Sequence, residues 1–84
     1  MILHDSEKTP VLGEVGINKL TPRQLEVVRS LVDGNSDKQT GLLLSVSRET
    51  VRKHINNACV KLALRNRTQL IVAFAKWEAV KNLN

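Results

Sequence analysis

From residue 20 onward, apolar residues return every three or four positions in four blocks, and each block opens on a residue that can cap a helix. The first block is predicted as a helix over about 22–33. Thr21 is its N-cap, Pro22 fills the first helical position and Gln24 stands three residues after the cap, which makes a capping box. Leu25, Val28, Leu31 and Val32 form its inner stripe, Leu20 can staple against Leu25 across the cap, and Gly34 ends it. A second, short helix starts at Ser36, with Gln39 completing another capping box, and runs to about Leu44. Gly41 inside it costs about 1 kcal/mol relative to Ala, a cost tolerated where two helices must approach closely. The third spans about 48–63. Ser47 is its N-cap, Val51, Ile55, Ala58 and Leu62 are its buried stripe, and its stop lies around Ala63 to Arg65. The fourth follows Asn66, with Gln69 as a further capping box, and runs to about Lys81. Leu70, Ile71, Ala73, Phe74, Trp77 and Val80 form its broad inner face. Val72, Ala75, Ala79 and Leu83, with Lys76 among them, lie on the far side. A helix apolar on two sides calls for two partners, and a second copy of the chain is the simplest candidate for the other.

Residues 1–19 carry no helical period. Pro10, Gly13, Gly16 and Asn18 interrupt short apolar pieces, which reads as an irregular arm or linker with one short extended piece packing on the domain. The expected division is therefore an arm of residues 1–19 and a folded unit of residues 20–84, one all-α domain. With Phe74 and Trp77 as the only aromatics, aliphatic side chains must fill the core, which favours packed helices over a β-sandwich.

Charge sharpens this picture. Thirteen Lys and Arg against eight Asp and Glu give a net charge of +5. Asp5, Glu7 and Glu14 outweigh Lys8 and Lys19 in the arm, so the excess belongs to the folded part and points to a polyanion such as nucleic acid. Around Ser47 the chain reads as a short helix, a tight turn and a second helix. Its apolar back is set against Arg48, Arg52, Lys53 and Asn56 on the first two turns of the opposite face. From such a helix these side chains reach guanine O6/N7 or adenine N6/N7 in the major groove of double-stranded DNA. Catalysis is not expected, because there is no strand-borne nucleophile motif, glycine-rich phosphate loop or HExxH pattern. No metal or other cofactor is expected, since His4, His54 and Cys59 lack ligand spacing. The lone Cys59 excludes an intrachain disulfide and reads as an inert, partly buried thiol in a reducing compartment. With no signal-peptide pattern and no membrane-length apolar run, the expected location is cytoplasmic.

Leu20-Thr21-Pro22-Arg23-Gln24-Leu25-Glu26-Val27-Val28, then Gly34-x-Ser36-x-Lys38, then Leu44-x-Val46-Ser47-x-x-Thr50-Val51-Arg52-x-His54, then Asn57-x-x-x-Lys61-Leu62-x-Leu64-x-x-Arg67 resemble the LuxR-type (GerE-like) helix-turn-helix domain over about residues 20–77. The resemblance implies a four-helix DNA-binding domain of a bacterial transcription regulator, with the second and third helices as the helix-turn-helix and the fourth commonly mediating dimerisation. By position it puts Arg52, Lys53 and Asn56 at base-facing sites. Lys38, Ser47, Thr50 and Lys61 fall at or near phosphate-facing sites, joined by His54, which matches the family's habitual histidine. Val72, Ala75, Lys76, Ala79 and Leu83 become the expected dimer interface, and Glu26 and Arg67 match a charged pair of positions that look structural.

The chain also departs from the family pattern. Thr40-Gly41 replace the usual Ile-Ala on the inner face of the second helix, removing apolar volume from the core. Leu42 and Leu43 occupy positions that are usually polar, with Leu43 expected partly buried and Leu42 more exposed. Leu70 and Phe74 replace small residues and Glu78 a terminal Gly, so a longer, straighter last helix and an altered dimer contact are expected. Nineteen residues cannot form a receiver or ligand-binding domain, so the chain looks like a stand-alone effector domain. The expected function is a sequence-specific, dimeric DNA-binding regulator of transcription. The alternative is a protein-docking co-regulator or negative regulator, akin to a sigma-factor region-4 module or pairing with a larger LuxR-type protein, with RNA polymerase as a possible partner.

Overall fold

The computed structural model describes residues 16–83, and among these residues there are four α-helices, one 3-10 turn and no strand. The 3-10 turn is Ile17–Lys19, followed by α1 (Pro22–Val32), α2 (Asp37–Leu44), α3 (Arg48–Lys61) and α4 (Arg67–Asn82). The first three caps form as the sequence dictates. Thr21 and Ser36 each close a full capping box with Gln24 and Gln39, and the Ser47 hydroxyl accepts the N–H of Thr50. The fourth differs from expectation. Asn66 Oδ1 accepts the N–H of Gln69, but Gln69 Oε1 accepts from Arg65 N–H at 2.7 Å, one residue outside the cap. The glutamine closes the loop before the helix rather than the cap itself. The expected extended piece in the arm has no counterpart at residues 17–19, which form the 3-10 turn with Ile17 fully buried; residues 1–15 lie outside the described residues.

The core is aliphatic apart from Phe74. Ile17, Leu20, Val27, Val28, Leu31, Val51, Ile55, Ala58, Cys59, Leu70 and Phe74 form one buried cluster. α1 is rotated slightly from the predicted stripe. Val27 is fully buried, while Leu25 and Val32 are only partly packed against the cluster. The reason is that α1 faces three helices at once, so its buried arc is centred on 24, 27, 28 and 31. Two buried hydroxyls replace the apolar volume missing from α2: Thr40 Oγ1 lies 2.7 Å from Ser30 Oγ, which also accepts from Asn35 Nδ2 at 3.1 Å. Neither polar group is therefore left unpaired in the core, the condition for burying one without a large penalty. At Gly41 a Cβ would sit 2.7 Å from the carbonyl oxygen of Val46, so the turn between α2 and α3 closes directly onto the backbone of α2. Leu42 and Leu43 are both exposed, at 73% and 65%; the expectation that Leu43 is partly buried is corrected, because the arc of α2 that faces the domain is spent on Thr40 and Gly41.

α1 and α3 end in the same hydrogen-bonded motif with different residues at its strained position. After α1, Gly34 adopts φ +94°, and the N–H groups of Gly34 and Asn35 return to the carbonyls of Leu31 and Ser30. After α3, Ala63 adopts φ +56°, and the N–H groups of Ala63 and Leu64 return to Val60 and Cys59. The helix proper therefore stops at Lys61, a little before the expected Ala63 to Arg65. A non-glycine residue in the left-handed region costs about 1 kcal/mol or more. Ala63→Gly is expected to raise the stability of the domain by about 0.5–1 kcal/mol, after the offsetting gain in unfolded-chain freedom, read as a higher urea midpoint at unchanged slope.

Candidate nucleic-acid interface

α3 lies with Val51, Ile55, Ala58 and Cys59 against the core, and Arg48, Arg52, Lys53 and Asn56 are exposed on its other side. Burial pushes the Cys59 thiol above its ordinary range, so it is a poor nucleophile. Ser47 does two jobs at the turn. Its Oγ accepts from Thr50 N–H at 3.0 Å and donates to Thr50 Oγ1 at 2.9 Å, so the Thr50 hydroxyl does not spend its own proton on Ser47. Lys38, in the first turn of α2, is exposed and lines one shallow concavity with Ser36, Asp37, Arg48, Arg52 and Arg67. His54 is half-buried on α3. Lys61 is exposed at the opposite end of α3, where Nζ reaches Lys19 O at 3.4 Å and Gln24 Oε1 at 3.3 Å. Of the residues expected to face phosphate, Lys61 is thus the one engaged in tying α3 to the start of α1. It sits about 20 Å along the helix from Arg48.

The sequence reading missed the acidic centre of this surface. Asp37 is 12% exposed, and its carboxylate receives Arg67 Nη1 on Oδ1 at 2.8 Å and Arg67 Nη2 on Oδ2 at 2.9 Å, with Arg52 Nε on Oδ2 at 3.3 Å. The partner of Arg67 is therefore Asp37 and not Glu26, which pairs with Arg23 one turn away on the surface of α1. The correction has a geometric cause: Arg67 opens α4 beside the start of α2, whereas Glu26 sits on the exposed side of α1. An acidic residue in the first turn of α2 is also favoured by the helix dipole, and that was the only signal the sequence held.

Hydrogen bonds from Arg67, opposed by partial burial and assisted by the charges of Arg67 and Arg52, hold the Asp37 carboxyl below its ordinary value of 3.8. A carboxylate whose pKa is depressed by folding contributes stability that is complete above its unfolded value and lost as pH falls through the folded one. Urea midpoints measured from pH 6 down to pH 2 should therefore fall below about pH 4 in the wild type. In Asp37→Asn the fall over that window should be shallower.

α4 carries the remaining candidate surface. Val72 is 44% and Leu83 83% exposed, and Ala75, Lys76 and Ala79 are exposed between them, forming one face along the helix. The other side of α4 is fixed to α1. Glu78 pairs with Arg29, whose guanidinium lies 5.1 Å from the centre of the Phe74 ring, and Phe74 meets Trp77 at 5.4 Å. Glu78, expected to mark an altered helix end, thus anchors a helix of 16 residues to its neighbour. Among the described residues, no three His, Cys, Asp or Glu side chains converge on a metal-sized site. No helix there is long and apolar enough to cross a membrane.

Two helices joined through Ser45, Val46 and Ser47, the second with an outward cationic side, both backed by α1 and the second also by α4, define a helix-turn-helix domain. The family model described as bacterial regulatory proteins, luxR family, matches residues 18–74, and the chain belongs to that family of DNA-binding transcription regulators. It is similar to the transcriptional regulatory protein DegU of Brevibacillus brevis, 36% identical over 98% of this chain and 35% of that protein. It is 42% identical to the spore germination protein GerE of Bacillus subtilis, over 63% of this chain and 72% of that protein. It is 40% identical to the nitrate/nitrite response regulator protein NarP of Escherichia coli, over 66% of this chain and 26% of that protein. The chain thus spans about a third of DegU and a quarter of NarP. No solved structure matches it significantly.

Proposed function

We propose that the chain is a sequence-specific regulator of transcription that inserts α3 into the major groove of double-stranded DNA and acts as a dimer through α4. Arg48, Arg52, Lys53 and Asn56 are its base-reading set. Lys38, Ser47, Thr50 and His54 hold phosphates, and Lys61 adds to them only through the N–H groups not directed at Lys19 and Gln24. Residues 20–84 are the DNA-binding domain, with residues 1–19 as its arm. The protein works in the bacterial cytoplasm without catalysis or cofactor. The observation that carries this reading is the split character of α3: Val51 fully buried and Ile55 nearly so, beside an Arg52 side chain that is 57% exposed. Phosphate contacts would supply affinity, and groove contacts selectivity.

The dimer rests on the unpartnered face of Val72, Ala75, Lys76, Ala79 and Leu83. It places two copies of α3 about 34–36 Å apart on a pseudo-palindromic site. The test is selection of binding sites from random duplexes, with the oligomeric state measured on the same sample by light scattering. An enriched inverted repeat bound by two chains supports the proposal. Absence of any enriched motif rejects it.

A second reading is favoured by the exposed Leu42 and Leu43 on α2. Here the domain docks on RNA polymerase or on a larger LuxR-type regulator, which it activates or blocks. Leu42→Ser/Leu43→Ser should then abolish retention of that protein by the chain while leaving DNA binding intact.

A further inference from the structure

We propose that Asp37 is a positioning residue for Arg52, holding its guanidinium in the orientation that reads a base pair. The inference rests on the reading of α3 as the DNA-contacting helix. Three elements meet at this carboxylate. Arg67, the first residue of α4, takes it in a two-pronged grip through Nη1 at 2.8 Å and Nη2 at 2.9 Å. That grip fixes Asp37 itself, since a paired fork on a carboxylate restricts both partners in plane and direction. The same Oδ2 then accepts from Arg52, and from Nε alone, at 3.3 Å.

The choice of nitrogen matters. A guanidinium held at Nε has spent its inner N–H and keeps both Nη groups free. These form the planar pair that matches O6 and N7 of guanine. An arginine on an open helix surface carries several free torsions and loses them on binding, which weakens the contact. Arg52 has already lost much of that freedom to Asp37 in the free protein. By contrast Arg48, which lines the same concavity, has no hydrogen-bond partner among the described residues.

Charge makes the two effects of Asp37 separable. The concavity is lined by the cations Lys38, Arg48, Arg52 and Arg67 around one carboxylate. Removing that negative charge strengthens attraction to any phosphate backbone, whatever its sequence. Releasing Arg52 at the same time weakens discrimination at the base pair it reads. A residue with a merely structural role would move both kinds of binding together, through the folded fraction.

The experiment uses the full chain, the most enriched duplex from the site selection, the same duplex with each base pair changed in turn, and an unrelated duplex. Arg52→Ala first identifies the base pair whose preference flattens. Asp37→Asn is expected to flatten preference at that same base pair by about two- to tenfold, the worth of one immobilised side chain, with binding to the unrelated duplex unchanged or tighter. Should Asp37→Asn keep the wild-type preference there, or tighten the selected site as much as the unrelated one, the positioning role is overturned. If the wild type shows no base preference, or Arg52→Ala flattens none, the fault lies in the reading of α3 itself. A measurement on the wild type stands independently of how well the variant folds. In the free protein the Arg52 Nε–H should be slower to exchange and more ordered by nitrogen relaxation than that of Arg48, and equal mobility of the two also overturns the proposal.

Discussion

The double variant Arg52→Ala/Lys53→Ala is expected to remain folded and to lose sequence-selective binding by roughly thirtyfold to twenty-thousandfold. Each well-made contact to a base edge contributes about 1–3 kcal/mol of discrimination, and two such contacts are removed. Folding should survive because both side chains are exposed, and the link from Arg52 to the largely covered Asp37 carboxylate is a single 3.3 Å contact from a half-exposed guanidinium, of the kind that contributes about 1 kcal/mol. The dependence of binding on salt should also become shallower by about one or two ions, since two cations leave the surface. Fluorescence anisotropy on the selected duplex at several salt concentrations, with circular dichroism as the folding control, measures all three. A variant that binds within threefold of the wild type at the same site would remove α3 from the proposed contact.

Phe74→Ala carries the largest expected loss of stability, about 3–5 kcal/mol. The Phe74 ring is 1% exposed, is the largest fully buried side chain, and contacts Trp77 at 5.4 Å and the Arg29 guanidinium at 5.1 Å. Truncation removes the transfer free energy of the ring, leaves a cavity between α1 and α4, and frees the Arg29–Glu78 pair from its platform. A domain of this size has about 5–10 kcal/mol in all, so the variant should sit near its folding threshold. Urea unfolding followed by the fluorescence of Trp77 reads the result directly, because Trp77 is the only tryptophan and lies against the altered position. Phe74→Leu keeps most of the volume and should cost far less. A loss under about 1 kcal/mol for Phe74→Ala would mean that α4 is held chiefly by Leu70 and not by the ring.

The helices were legible because their signals are local. Thr21, Ser36, Ser47 and Asn66 cap helices through atoms at most three residues away, and Gly34 supplies the backbone angle at its own position. The outward set on α3 followed from the same periodicity, since burying Val51 and Ile55 leaves Arg52, Lys53 and Asn56 no other side. Where several helices compete for one surface, periodicity failed by a fraction of a turn, as at Val27 and Leu43. The left-handed helix ending at Ala63 was equally hidden, because alanine gives no sign of that conformation.

The amino-acid sequence alone thus determined four helices, the turn between the second and third, and which side of α3 carries charge, since each depends on neighbours within one or two turns. Only the tertiary structure decided that Asp37 joins Arg52 and Arg67 across 15 and 30 residues, that Thr40 finds the Ser30 hydroxyl, and that Lys61 ties down the start of α1. Those pairings depend on how the helices cross, and crossing geometry is set by the shape of the whole packed core, which no local stretch of chain encodes.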